Sequence, residues 1–528
     1  MYYGWSGQRM PAVGRSMVVM AGRDRRIVAC MDAAHIAFRR YLWLGDWCRV
    51  QSGRNGTPID SLQCRRQCLA NYWLDPWAGG SQTAAPLEAL GMAADKRIDQ
   101  FHATFLVVGG VVGAGILYTV GQVYRSGGSE SGAFLAWGLG GLMALCGGLL
   151  TGECASRIPR NGGEYLYLSE GMGRPVGFLS GWSAFLVGYP GSIATLSMFI
   201  SITLVHALGL NEFTIGGISS TVVIALLVIG LVTILTLFPI RIGARVNVWV
   251  TIGTLLLLAL ICQVAPLERT IEWKIPEFDG VGRALVPVFW AYTGWNVVAV
   301  IAGECKDPHR VVPRAMVTGT LLVLVLYLWF NYALFRAQSP DTLAAVPNDL
   351  GTIQLSERVL APIGPFLVTI VALVAMTSSL IATALAGPRL TSAMAQRGDF
   401  FVGLGRCKEE SGVPRRAALA QGAIAGTLVL MGNAMQLLEW TTCVMLLFGF
   451  LTALAQVRLR RSDYRSNKGR VFRDPLFPIS TLIYGGACLW VLWSQTEFQL
   501  IASIACIVSG VPLYLVFRAR AANQERKL

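Results

Sequence analysis

Charged side chains along this 528-residue chain fall in clusters that leave twelve long uncharged intervals: 100–124, 131–152, 175–211, 213–240, 246–267, 284–303, 315–335, 359–388, 417–438, 440–457, 475–496 and 498–517. A helix crosses the hydrocarbon of a bilayer with about 20 mostly apolar residues, so the pattern predicts an all-α polytopic membrane protein of twelve spans. A charge at the bilayer centre costs about 3 kcal/mol even on the lenient insertion scale, so such clean gaps reflect insertion into lipid. A β-barrel does not fit. Its strands alternate over about ten residues, whereas Thr221 to Ile240 is apolar on every face.

Composition agrees: 54% of residues are hydrophobic and 14% charged. The net charge of +14 would point to nucleic acid in a soluble protein, but its distribution points to topology instead. Connections after even-numbered spans, with the C-terminal tail, hold 25 Lys and Arg, and those after odd-numbered spans hold 6. The positive-inside rule places the even connections and both ends of the span array in the cytoplasm. The opposite side carries Glu268, Glu272, Glu277 and Asp279 in one loop. The basic loops 389–416 and 458–474 read as anchors near anionic headgroups of the bilayer. The plasma membrane is the expected location, with no nucleic-acid partner.

Residues 1–97 differ from the rest, with 13 Lys and Arg and no run long enough to span. They are assigned no fold: a disordered tail, a targeting extension, or sequence upstream of a true start at Met92. The membrane-spanning body covers 98–518, and 519–528 forms a cytoplasmic tail. Most of the twelve cysteines sit singly in spans as small apolar fillers, so no structural disulfide is expected. Cys64 and Cys68 lack the second pair of ligands that zinc requires. The four histidines, His35, His102, His206 and His309, have no metal-ligand spacing, and no nucleophile motif or phosphate loop occurs, so an enzyme is not expected. No metal or other cofactor is implied.

Two spans are irregular. The first reads Val107-Val108-Gly109-Gly110-Val111-Val112-Gly113-Ala114-Gly115-Ile116-Leu117, with four glycines that each cost about 1 kcal/mol of helix propensity. The sixth reads Pro287-Val288-Phe289-Trp290-Ala291-Tyr292-Thr293-Gly294-Trp295-Asn296. Interruptions five spans apart point to two inverted five-helix units with a site at the midplane. Unwinding frees N–H groups for a carboxylate and C=O groups for an ammonium, which together suit a zwitterion. Close helix packing through Gly109 and Gly113 is the competing reading of the first span alone.

The chain resembles the amino acid/polyamine/organocation superfamily over residues 98–518, and within it the amino acid permeases and L-type transporters. The resemblance rests on Gly113-Ala114-Gly115-Ile116, on Glu153 to Tyr165 with Pro159 and Gly162-Gly163, and on Ala291-Tyr292-Thr293-Gly294-Trp295-Asn296 followed by Glu304 to Ala315. Weaker echoes are Gly387-Pro388-Arg389 and Leu459-Arg460-Arg461. It implies a LeuT-like five-plus-five inverted repeat with broken helices one and six, working by alternating access. Backbone around Val112, Gly113, Ala114, Gly115 and Ile116 then holds the substrate carboxylate, and that of Trp290, Ala291 and Thr293 meets the amine. Trp290 stands where relatives place a gating aromatic; its other reading is a lipid-facing tryptophan.

Departures from the family pattern bear on coupling. Where many sodium-independent members have a lysine in the fifth helix, this chain has Thr254. Thr377, Ser378 and Ser379 offer hydroxyls for sodium or simply back-bond within their helix. Coupling to Na+ or H+ is open, as are symport versus exchange and any accessory subunit. Glu153 and Glu304 read either as arginine-paired latches at the cytoplasmic side or as solvated acids. The absence of acids in the middles of spans one, three, six and eight favours neutral L-amino acids over polyamines or other organic cations. A transporter-like amino acid sensor is the remaining alternative.

Overall fold

The computed structural model describes residues 98–525 apart from 210–213, 216–217, 239, 266, 272, 338, 340–363, 406–413 and 464–470. The expectations for residues 1–97, including Cys64 and Cys68, lie outside the described residues.

Each uncharged interval holds helix. The first contains α1 (Gln100–Val111), α2 (Ala114–Tyr118) and α3 (Val120–Gly127); the second α4 (Glu130–Arg157). Asp99 caps α1, its carboxylate accepting from the His102 backbone N–H at 3.1 Å, and Ser129 caps α4 through Gly132 N–H at 3.0 Å. A short helix α5 (Glu164–Gly171) leads to α6 (Arg174–Ser183), one π-helical turn (Ala184–Gly188) and α7 (Tyr189–Ala207). Pro190 in the first turn of α7 has no N–H to give, and the widened turn just before it absorbs that lost bond.

A two-stranded antiparallel hairpin, β1 (Thr214–Ile215) and β2 (Ile218–Ser219), precedes α8 (Ser220–Thr236) and α9 (Ile240–Val264). Then come α10 (Phe278–Tyr292), the short α11 (Val297–Val300) and α12 (Pro308–Ala337). The last intervals hold α13 (Gly364–Gln396), with α14 (Val402–Gly405) after it, then α15 (Arg415–Met431), α16 (Ala434–Asp463), α17 (Ile479–Trp493) and α18 (Glu497–Glu525). The last helix runs through Arg518 to Glu525, since nothing in that stretch breaks a helix, so most of the expected tail continues the preceding span.

Among the described residues, eight helical stretches are long and apolar enough to cross a membrane. The α8 and α17 helices are apolar but shorter. Large apolar side chains face outward, Leu227, Trp249 and Leu482 among them at 68%, 74% and 70% exposure, as expected where lipid is the solvent. Inside, α12 packs on α1 and α4. Glycines on α4 admit neighbours closely: a Cβ on Gly148 would lie 3.7 Å from the Met316 carbonyl, and one on Gly152 3.1 Å from Pro313.

Candidate functional site

The expected breaks are present, and they touch. The α1 helix stops at Val111 because Val112 (φ −73°, ψ 96°) leaves helical geometry, and α2 begins after Gly113. The α10 helix stops at Tyr292, with Thr293 extended and Gly294 at φ 111°, a region that side chains with a Cβ avoid. A Cβ on Gly294 would collide with the Gly110 carbonyl, and one on Gly110 would lie 3.1 Å from the Gly294 carbonyl. A Cβ on Gly115 would lie 2.5 Å from that of Ala291. Glycine at these positions brings backbone against backbone, whereas Gly109 and Gly113, the pair of the packing reading, face the side chains of Thr251, Ser378 and Ser379.

A cavity of about 110 Å³ opens at the junction, lined by Gly113, Ala114 and Gly115 from the first break and by Trp290, Ala291 and Thr293 from the second. Val112 and Ile116, also expected there, are buried but do not line it; Gly110 and Val111 do. The N–H groups opening α2 have no intrahelical partner, as at any helix start. The carbonyls are less free. Trp290 O accepts from Thr293 N–H at 3.0 Å and from its hydroxyl at 2.7 Å. Tyr327 Oη on α12 lies 3.0 Å from Val111 O and 3.2 Å from Ala291 O, so one phenol ties the two breaks together. Sequence reasoning missed Tyr327, which sits in an ordinary-looking span with no local signal. Trp290 is 6% exposed and packs on Phe199, with ring centroids 6.2 Å apart, so it faces the protein interior and not lipid.

Of the four residues considered for an ion, Ser378 alone joins a side-chain cluster with Asn247 and Thr251 beside α1. Asn247 Nδ2 donates to Ser378 O at 3.0 Å and lies 2.8 Å from its hydroxyl, and Thr251 Oγ1 is 3.0 Å from that same hydroxyl. A Cβ on Gly109 would lie 2.7 Å from Ser378 Oγ and 2.8 Å from Asn247 Oδ1, so the cluster abuts the first helix. Thr254 is buried and donates to Val250 O at 3.0 Å; Thr377 is exposed and donates to Leu373 O at 2.6 Å. Ser379 reaches the break itself, donating to Gly110 O at 2.9 Å.

Glu153 and Glu304 are both paired, and neither is a solvated acid. Glu304 accepts from Arg389 Nε at 2.6 Å, with 14% and 7% of the two side chains exposed. Glu153, fully buried, meets Arg157 at 2.6 Å and Arg460 at 3.6 Å and accepts from Asp474 N–H at 2.9 Å. These groups tie α4, α16 and the 471–478 segment at one basic end, and α13 to the segment after α11.

Two interrupted helices meeting at an internal cavity within an apolar-surfaced bundle define the class as a polytopic membrane protein with polar backbone at an internal cavity. The comparisons with known proteins say which. Residues 98–515 match the family model described as amino acid permease, and the chain belongs to that family. It is 27% identical over 439 residues to the serine/threonine exchanger SteT of Bacillus subtilis (strain 168), covering 81% of this chain and 98% of the exchanger. It is also similar to the Asc-type amino acid transporter 1 of Mus musculus (26%, 80% of this chain, 82% of that one). A further relative is the large neutral amino acids transporter small subunit 2 of Oryctolagus cuniculus (28%, 83% of this chain, 84% of that one).

Proposed function

We propose that this protein moves neutral L-amino acids across a membrane by alternating access, with twelve spans in a five-plus-five inverted repeat. The observation that carries the reading is the meeting of two broken helices, five spans apart, at one cavity. In this reading the N–H groups of Gly113, Ala114 and Gly115 take the substrate carboxylate, with Val112 and Ile116 shaping the turn from behind. The ammonium lies toward Trp290, Ala291 and Thr293, sharing carbonyls that Tyr327 and Thr293 hold in place. Trp290 with Phe199 closes the cavity from outside. The Glu304–Arg389 pair and the Glu153 cluster act as cytoplasmic latches that part when the inner path opens.

Exchange is one mode of the cycle, supported by the named activity of the Bacillus relative, and net uptake is the other. Sodium is not part of the proposed cycle at Ser378: the Asn247 amide nitrogen bonds both Ser378 oxygens and so bridges α9 to α13. The proposed setting is the plasma membrane with both ends of the span array in the cytoplasm, as the charge bias favours.

The test is protection. With Ala114→Cys in the reconstituted protein, labelling by a small maleimide is expected to slow several-fold with millimolar L-serine or L-leucine and not with putrescine. Labelling that no amino acid slows would remove the assigned site.

A further inference from the structure

Glu164 lines the same cavity as the two breaks, and nothing in the assigned binding scheme uses it. It opens α5 on the connection between the second and third spans, outside the membrane-spanning stretches. The turn that presents it contains Gly162 and Gly163, at φ 129° and 54°. That turn is strapped to the inner half of the broken sixth span: Gly162 N–H donates to Val300 O at 2.9 Å, and Gly303 N–H donates to Asn161 Oδ1 at 2.9 Å. A Cβ on Gly163 would lie 2.9 Å from Val300 Cγ2. Any swing of α11 away from the cavity therefore pulls on the backbone next to Glu164.

Ser180 Oγ donates to the Glu164 carboxylate at 2.8 Å, and the Thr452 hydroxyl also faces it. Its other titratable neighbours are phenols and thiols, uncharged at neutral pH: Tyr167 on its own helix, Tyr189 on α7, Tyr484 and Cys488 on α17, with Cys154 of α4 beside Tyr167. Among the described residues, the charged groups on the elements packed against it are engaged elsewhere or exposed. Arg174 of α6 pairs with Asp399 at 2.8 Å, Arg157 of α4 with Glu153, and Glu170 of α5 with Arg397 at 3.0 Å. On α16, Glu439 accepts from Gln499, Arg458 reaches Met172, Arg460 lies over the Phe477 ring, and Arg461 is exposed. Burial, with no cation against it among the described residues, pushes the Glu164 carboxyl up to about 7, the hydroxyls of Ser180 and Thr452 pulling it partly back.

Resting on the transporter reading, we propose that Glu164 is a proton-binding site of the transport cycle, loaded from the outer side with the amino acid and emptied to the cytoplasm when α11 moves. A proton from outer water bonds to a carboxylate oxygen; that bond breaks to cytoplasmic water once the inner path hydrates the group, leaving the carboxylate anionic. The cavity then carries one proton with one zwitterion.

The experiment uses the purified full chain in proteoliposomes with a pH dye in the lumen and radiolabelled L-serine and L-leucine outside. Luminal acidification is expected to accompany uptake. The apparent affinity for the amino acid is expected to weaken about tenfold per pH unit above 7, as proton linkage requires. Glu164→Gln is expected to abolish the acidification and flatten the pH profile between 6 and 8. Ser180→Ala, which removes a donor to the charged form, is expected to move the midpoint of the pH profile upward; it decides the matter if Glu164→Gln does not fold. Uptake without acidification, acidification retained in Glu164→Gln, or an unmoved midpoint in Ser180→Ala would each overturn the proposal while leaving amino acid transport standing. No uptake at any pH, whether or not the lumen is preloaded with unlabelled amino acid, would instead bring down the transporter reading, and this proposal with it.

Discussion

Adding one methyl group at Gly115 tests the junction of the broken helices. A Cβ there would lie 2.5 Å from the Ala291 Cβ and also collide with its Cα, and neither is the end of a flexible side chain. Carbon atoms rest about 3.5–4.0 Å apart, so Gly115→Ala requires α2 and α10 to separate by about 1 Å. Overpacking of this kind costs about 1–3 kcal/mol, offset by up to about 1 kcal/mol from the better helix propensity of alanine. The fold should therefore survive, with a melting temperature a few degrees lower. The site should not. A displacement of about 1 Å in a positioned site costs on the order of a hundredfold, and here it moves the carboxylate-binding turn relative to Trp290 and Ala291. Exchange of labelled L-serine by Gly115→Ala is expected to fall at least tenfold, and Gly115→Val is expected to abolish it while still inserting in the membrane. Wild-type exchange and affinity in both variants, at wild-type expression, would refute the placement of substrate at this junction.

Arg389→Ala leaves Glu304 buried without its partner, a loss of about 3–5 kcal/mol, and is expected to lower the thermal midpoint measured by fluorescence-detected size exclusion more than any surface Arg→Ala change. Tyr327→Phe removes the proton shared by Val111 O and Ala291 O, leaves two buried carbonyls unsatisfied at about 1–3 kcal/mol, and is expected to weaken substrate affinity; an unchanged Kd would mean the tie does not shape the site. Replacing external sodium with choline is expected to leave wild-type uptake unchanged. Asn247→Leu is expected to destabilise the protein and slow transport without creating sodium dependence.

The span pattern was legible because lipid insertion is a local demand, met residue by residue: the intervals between Asp99 and Arg125 or between Arg283 and Glu304 were readable as helices without knowing their neighbours. The two breaks were legible for a similar reason, since glycine and polar residues inside an apolar run contradict helix propensity in a way a linear sequence displays. Partnerships across the bundle were not. Tyr327 looks like any tyrosine in a span until α12 packs on α1 and places its hydroxyl between two carbonyls. The resemblance points to Thr254, yet the amide and hydroxyl that meet Ser378 belong to Asn247 and Thr251, about two turns and one turn earlier on the same helix. Glu164 lay in a loop motif whose glycines were recognised, but only the folded turn against Val300 puts its carboxyl in the cavity.

The most direct measurement is uptake of labelled L-serine into proteoliposomes holding the purified protein, preloaded or not with unlabelled L-serine, with neutral, cationic and acidic L-amino acids and putrescine as competitors. The account predicts saturable uptake that internal amino acid accelerates and that neutral L-amino acids alone compete. Absence of uptake together with absence of binding by any amino acid, or uptake that putrescine competes and neutral amino acids do not, would contradict it.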